Sequence, residues 1–402
     1  MDQFEKKLKD RFLRYVTTDT RSDETSGTHP SSREQFHLLR ILKDELEEMR
    51  TDEVNVDEEH CYLYAKIHSN CDLTLPKIGF IAHLDTSPEA SGAVRPVLVE
   101  NYDGGDVGHL KVDAFPELKR YKGQTLIMTD STSLLGSDDK SGIAEIMTMA
   151  EFFLTHPEAK HGEIRIAFTP DEEIGEGSMF FDLDLFDSDY AYTVDGGVIG
   201  EISYENFNAA SAKIDIRGRN VHPGEAFGKM INAARLAMEF DSMLSQEERP
   251  EVTRDHEGFF HLTDIEGDCS EAKMSYIIRD HDRLLFERKK SQIEEAAERL
   301  RGKYPDALIE VSMSDTYYNM KEKILPVMHI VDKVKDSMER LGIEVLELPI
   351  RGGTDGATLS FRGLPCPNIC AGGHIFHGIY EFVSLESMVK ISRLLVNIAG
   401  IC

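Results

Sequence analysis

Five short clusters in this 402-residue chain carry side chains able to bind a cation or move a proton. His83-Leu84-Asp85 closes the apolar run KIGFIAH. If that run is a strand, alternation puts His83 and Asp85 on one face, where a carboxylate can orient an imidazole that binds metal. Asp138 and Asp139 stand side by side in GSDDKSG, just before a long helical period. Acids there are ordinarily capping and macrodipole partners of a helix start. Asp171-Glu172-Glu173 follow IRIAFTP, and three consecutive acids repel one another unless a cation or a shared proton compensates. Asp195-Gly196-Gly197 follows AYTV, and Phe376-His377-Gly378 sits in a glycine-flanked turn. Read singly, each has a bland explanation: a hydrogen-bonded histidine, a cap, an exposed acidic turn. Together they offer nitrogen and oxygen donors with no cysteine, a set that suits zinc. Two imidazoles and three carboxylates suffice for two closely spaced ions if one carboxylate bridges, and one acid is left over to act as a base.

The elements that must position these residues are legible from periodicity. From Lys77 onward, short apolar runs (KIGFIAHLD, EIRIAFTPDEE, YAYTVDGG) alternate with the helical DDKSGIAEIMTMAEFFLTH. That alternation predicts an α/β layer fold with a mostly parallel sheet, whose chemistry gathers at the carboxyl ends of the strands. The polar clusters HLD, TPDEE and VDGG fall there. After about Asn208 the rhythm changes to strand, helix, two strands, helix, strand: ASAKIDIRG, KMINAARLAMEFDSML, EGFFHLTDIEG, EAKMSYIIRD, DRLLFERKKSQIEEAAERLRG, DALIEVSMSD. This β-α-β-β-α-β order is that of the ferredoxin-like α+β unit. The expected layout is a discontinuous catalytic domain, 1–208 and 321–402, carrying an inserted domain, 209–320.

Composition narrows the function classes. Seventy-three acids against 45 bases give a net charge of −28. A surface that negative repels phosphate backbones and anionic membranes. The first residues, MDQFEKKLKDRFLRY, read as an amphipathic helix on Phe4, Leu8, Phe12 and Tyr15, without the uncharged apolar core of a signal peptide. No run approaches the roughly 18 apolar residues of a transmembrane helix, so a cytoplasmic protein is expected. The six cysteines lack the spacing of a disulfide framework. Cys366 and Cys370 have CxxxC spacing, but buried, reduced core thiols are expected of them.

In order along the chain, HLDT, GSDDKSGIAE, AFTPDEEIGEG, YTVDGG, NVHPG, YIIRDHDR, YYNM, RGGTDGATLS, GLPCPNI and FHGIYEFVSLE resemble the family of two-zinc aminopeptidases, carboxypeptidases and deacylases. Within it they look most like the tripeptide aminopeptidases. The resemblance spans nearly the whole chain and implies that the inserted domain is a lid. It further implies that His83 and Asp195 hold one zinc, that Glu173 and His377 hold the other, and that Asp138 bridges. Asp85 would orient His83, Glu172 would be the general base, and Asp139 would shape the turn. His222 matches a lid histidine that assists the oxyanion, and Arg279 and Arg351 match basic residues that receive the peptide's carboxylate end. Around His374-Ile375-Phe376-His377-Gly378-Ile379-Tyr380 the chain departs from the family's usual NFHGKHEF, which leaves His374 as a competing ligand.

The expected activity is removal of the N-terminal residue from tripeptides by a zinc-activated water. A di-zinc carboxypeptidase or N-acyl amino-acid deacylase would share every ligand. A catalytically silent metal- or peptide-binding protein would have no need of Glu172. Small peptides are the expected partners, with pairing of two subunits through the inserted domain open.

Overall fold

The structure, a computed structural model, describes residues 2–90 and 92–401. The chain divides into two compact units. One comprises the residues up to Tyr204, Glu322–Leu348 and those from Thr354 onward; the other comprises Glu205–Lys321 with Pro349–Gly353.

The first unit is built on an eight-stranded sheet. Its order is Glu53–Asp57, Tyr62–Ile67, Ile164–Thr169, Ile78–His83, Tyr190–Gly196, Asn368–Cys370, Glu201–Ser203 and Leu346–Glu347. Ile78–His83 runs parallel to both Ile164–Thr169 and Tyr190–Gly196, and Tyr190–Gly196 is parallel to Asn368–Cys370. Every residue of Ile78–His83 and Ile164–Thr169 is buried, as continuous apolar runs covered on both faces should be. The sheet is mixed, with four of its seven pairings parallel. Tyr62–Ile67 pairs antiparallel with Ile164–Thr169, and Glu53–Asp57 extends that edge as its antiparallel neighbour. EVNVDEEHCYLYAKI lies ahead of the helix-alternating stretch, and the short loop joining its two strands permits antiparallel pairing without a crossover. A second, four-stranded sheet joins Gly373–His374, Phe382–Ser384, Leu126–Thr129 and Pro96–Val99, all antiparallel.

The helices Gln3–Val16, Ser137–Thr155 and Leu385–Ala399 pack together beside the main sheet. Leu8, Phe12 and Tyr15 form the buried stripe of the first, with Phe4 half-buried edge-on to Phe152. Gly142 lets the second helix approach the sheet closely, since a Cβ there would stand 2.0 Å from the carbonyl oxygen of Val194. That approach brings the start of the helix, with its two aspartates, to the end of Tyr190–Gly196. Cys61, Cys366 and Cys370 are buried free thiols, and burial pushes the Cys370 thiol up to about 12. Cys402 lies outside the described residues.

The second unit is a four-stranded antiparallel sheet ordered Phe259–Gly267, Glu271–Asp280, Asn208–Arg217, Leu308–Tyr317. Helices Ala233–Ser242 and Arg283–Lys303 cover one face. Ala210, Ala212, Ile214 and Ile216 point into that core while Ser211, Lys213 and Arg217 face outward, the period-two pattern of a half-buried strand. Leu236, Phe240, Phe286, Ile293 and Leu300 supply the helical side. Asp282 starts its helix by accepting the N–H groups of Leu284 and Leu285. The six elements follow the order β-α-β-β-α-β read from the sequence. Among the described residues no helix is long and apolar enough to cross a membrane.

Candidate metal centre and active site

His83 is the last residue of Ile78–His83 and its side chain is 2% exposed. Its Nδ1 lies 3.0 Å from the carbonyl oxygen of Asp85. A carbonyl can only accept, so Nδ1 carries a proton and Nε2 is the atom left to face the centre. Nε2 stands 2.9 Å from Oδ1 of Asp138 and 3.4 Å from Oδ1 of Asp195, at the end of the neighbouring strand.

Asp138 is positioned by a turn at the head of its helix. Its φ of −86° and ψ of 104° are non-helical, and the Asp138–Asp139 peptide is cis. While Oδ1 faces His83, Oδ2 lies 3.4 Å from Nε2 of His377. The same His377 nitrogen is 2.9 Å from Oε2 of Glu173. One carboxylate thus offers an oxygen toward each histidine. Asp139, fully buried, turns the other way: Oδ2 accepts the backbone N–H of His83 at 3.2 Å and Oδ1 that of Gly142 at 3.3 Å.

The three consecutive acids separate. Glu172 and Glu173 occupy a tight turn, Glu172–Ile174, whose backbone N–H groups donate to Asp85: Glu172 to Oδ1 at 3.0 Å and Glu173 to Oδ2 at 3.2 Å. Ser87 N–H also holds Oε1 of Glu173. Asp171 points back into the unit, where it accepts the N–H and hydroxyl of Ser31 and the Gln35 side-chain amide at 2.5–2.6 Å. His29, with Nδ1 3.3 Å from Asp171 Oδ2 and 3.6 Å from Glu176 Oε2, lies on the same carboxylate. Asp85 therefore faces His83 Nδ1 with its main-chain carbonyl and, at 3.3 Å, with Oδ1 of the same carboxylate that shapes the turn carrying Glu172.

The electrostatics are those of an anion-rich pocket. Burial pushes Glu173 up to about 7 and Asp195 up to about 6, and burial with the Asp195 charge pushes Glu172 well above its ordinary value. Hydrogen bonds to Asp138 and Glu173 raise His377 to about 11. Burial works against charge on His83, but Asp195, Asp138 and Asp85 outweigh it and hold its pKa well above normal. Asp138 is held below the usual range because its bonds to the two histidines overcome its burial. Cations would relieve this crowding. Donor atoms of His83, Asp138 and Glu173 lie within 4.8 Å of one another, as do those of His83, Asp139 and Asp195. These nitrogen and oxygen donors suit divalent cations, and the two groups have His83 in common.

His374 faces elsewhere: buried, it bonds Tyr121 Oη through Nε2 at 2.5 Å and stacks on Phe382 with ring centroids 4.6 Å apart. His222, Arg279 and Arg351 belong to the second unit. His222 is exposed and caps the Pro223–Glu225 turn by accepting Gly224 N–H. Arg351 donates to the carbonyl oxygens of Asp255 and Glu257 and lies over Phe207 and Phe259. Arg279 lies over the ring of Tyr317, and its Nη1 is buried without a hydrogen-bond partner among the described residues. Burial brings its pKa down to about 10.

Sequence reasoning missed two buried acids. Asp355 accepts the Thr169 hydroxyl at 3.0 Å and is pushed by burial to about 7. Glu381 holds the turn before Asp138. Both lie inside motifs, RGGTDGA and YEFVSLE, whose appearance beside ligand-bearing segments was the available signal.

A family model for a peptidase dimerisation domain matches residues 204–307. Peptidase T of Clostridium perfringens strain 13 is 53% identical over 402 residues, covering 98% of this chain and 99% of the relative. Peptidase T of Alkaliphilus oremlandii is 51% identical, covering 98% of each. Among solved structures, aminopeptidase PepT from Bacillus cereus superposes with TM-score 0.78 at 20% identity, covering 98% of both chains. A tripeptidase from Staphylococcus aureus gives 0.77 at 20%, covering 98% and 97%. A Bacillus subtilis protein described as a dinuclear metal-binding peptidase of the M20 family gives 0.67 at 15%, covering 98% and 97%. These structures share the fold.

Proposed function

The chain belongs to the peptidase T family, tripeptide aminopeptidases of the M20 metallopeptidases, and from that premise we propose how its residues carry out the reaction. His83 and Asp195 would hold one zinc and Glu173 and His377 the other, with Asp138 available to both. The observation that carries this reading is the division of Asp138, with Oδ1 2.9 Å from His83 and Oδ2 3.4 Å from His377. When bound, two zinc ions lower the pKa of a water toward neutrality and polarise the scissile carbonyl. Glu172 is the general base. Its carboxylate takes a proton from the water as the water oxygen adds to the carbonyl carbon. It then delivers that proton to the departing nitrogen as the C–N bond breaks, freeing the N-terminal amino acid and a dipeptide. The placement of Glu172 supports this role: Asp85 holds its backbone on the turn it shares with Glu173, beside the candidate ligands.

Asp85 keeps His83 in the tautomer that presents Nε2 and keeps Glu172 on its turn. His222 assists the oxyanion, and Arg279 and Arg351 receive the peptide's carboxylate. The environment of Arg279 supports its share, for a buried guanidinium nitrogen with no partner is costly until an anion arrives. The match of residues 204–307 to a dimerisation domain supports a homodimer. In this reading the enzyme works in the cytoplasm.

The test is zinc content together with hydrolysis of Ala-Ala-Ala beside Ala-Ala, Ala-Ala-Ala-Ala and N-acetyl-Ala-Ala-Ala, before and after chelation. Two zinc ions per chain and chelator-sensitive cleavage of the free tripeptide alone, releasing its N-terminal alanine, are expected. Cleavage of the acetylated peptide would move the assignment to a carboxypeptidase or deacylase.

A further inference from the structure

Glu381 follows His377 by four residues, immediately before the strand Phe382–Ser384, and is 1% exposed. Its carboxylate reaches the segment that carries Asp138. Oε2 accepts the backbone N–H of Leu135 at 2.7 Å and of Gly136 at 2.9 Å; Oε1 accepts the Ser137 hydroxyl at 2.6 Å and the Asp138 N–H at 3.2 Å. Three amides from four successive residues converge on one buried carboxylate, the concave arrangement by which a backbone holds an anion.

This segment needs such a partner. Gly136 has a φ of +76°, and Asp138 is non-helical, so these amides lie outside the regular hydrogen-bond ladder of the helix that follows. Buried amides without an acceptor are costly, and Glu381 is the acceptor. Its own N–H donates to the carbonyl oxygen of Gly378 at 3.2 Å, closing the turn that presents His377. One residue therefore ties together the two turns whose side chains, Asp138 and His377, stand 3.4 Å apart. With four donors on its two oxygens, Glu381 is engaged as an acceptor from the backbone rather than as a ligand.

We propose that Glu381 is a positioning residue for the metal pair: it locks the Leu135–Asp138 turn to the His377 turn and so sets the spacing on which retention of the second ion depends. This rests on the reading that Asp138, Glu173 and His377 hold that ion. The test uses zinc-loaded, full-length Glu381→Gln protein. It reads zinc retained against a graded series of a zinc-chelating competitor, kcat and KM on Ala-Ala-Ala, and thermal unfolding of the metal-stripped protein. Glu386→Gln is the control, because Glu386 accepts the Thr125 N–H at 2.8 Å and takes no part in the Asp138 turn. In Glu381→Gln, one of the two zinc ions is expected to leave at a chelator concentration about tenfold lower or less, within the range typical of outer partners of metal ligands. At limiting zinc kcat falls in step and recovers on adding zinc, while KM stays within about twofold; the control matches wild type. If Glu381→Gln fails to fold, Glu381→Asp, charged but one methylene short of its four donors, is read in the same way. A folded variant with wild-type zinc retention overturns the proposal, as does an equal loss in Glu386→Gln. Failure of wild type to bind zinc at all would overturn the metal reading beneath it, a result separable from a loss confined to the variant.

Discussion

The carboxylate of Asp85 accepts the backbone N–H of Glu172 at 3.0 Å. Through its second oxygen it accepts Glu173 N–H, and through its main-chain carbonyl it accepts a hydrogen bond from His83 Nδ1–H. A single aspartate thus sets the tautomer of the His83 imidazole and the backbone of the turn that carries Glu172 and Glu173.

Asp85→Ala removes the acceptor for two partly buried amides at once. The expected result is a loss of about 1–3 kcal/mol in unfolding free energy and a fall in kcat that exceeds any rise in KM, measured by urea unfolding and steady-state kinetics. Wild-type kcat in a folded Asp85→Ala protein would mean that the turn holds Glu172 without it.

Glu172→Gln conserves shape and removes the carboxylate proposed as the base. Zinc content should stay at the wild-type value while kcat drops by about two to four orders of magnitude. Elemental analysis and single-turnover kinetics on Ala-Ala-Ala check both halves. Loss of zinc together with activity would instead make Glu172 a ligand.

Gly142→Ala places a methyl 2.0 Å from Val194 O and 2.4 Å from Asp139 Oδ1, so helix and strand must separate. Overpacking of this kind costs about 1–3 kcal/mol or more. Because the displaced strand end bears Asp195, weaker zinc retention should accompany the lower stability. Full retention would show that the helix start moves independently of the site.

His281 gives the second unit a pH dependence of its own. Burial, reinforced by the neighbouring His256, lowers its pKa to about 4 against the opposing pull of backbone hydrogen bonds with His256 and Ile350. With the folded pKa below the unfolded value of about 6.5, the unfolded chain binds the extra proton first. The contribution to stability is whole above about 6.5 and is lost as pH falls through about 4. Denaturant midpoints between pH 7 and 4 should decline more shallowly in His281→Leu than in wild type; parallel curves would remove His281 as the cause.

Much was legible before any coordinates. Periodicity located the strands ending at His83, Thr169 and Gly196 because buried parallel strands are written as unbroken apolar runs. It also located the six-element order of the second unit, where strands alternate and helices repeat at 3.6 residues. Family-bearing motifs supplied the residues that face one another, since HLD, DDK, DEE, VDGG and FHG all lie just past or just before regular elements.

Tertiary structure decided what no local pattern encodes. The antiparallel edge of the main sheet depends on which strand Tyr62–Ile67 finds as a partner, a contact about a hundred residues distant in sequence. His374 and His377 are three positions apart with identical chemistry; the turn between them, with positive φ at Ile375 and His377, sends one to Tyr121 and the other to Asp138. Asp171, Glu172 and Glu173 are equivalent acids on paper, and only the donors on Ser31 and Gln35 draw Asp171 out of the set. Glu381 looked like any acid before a strand until folding laid four donors around it. Residue types and their order determine which chemistry is available; long-range hydrogen bonding of buried backbone determines which of two like side chains performs it.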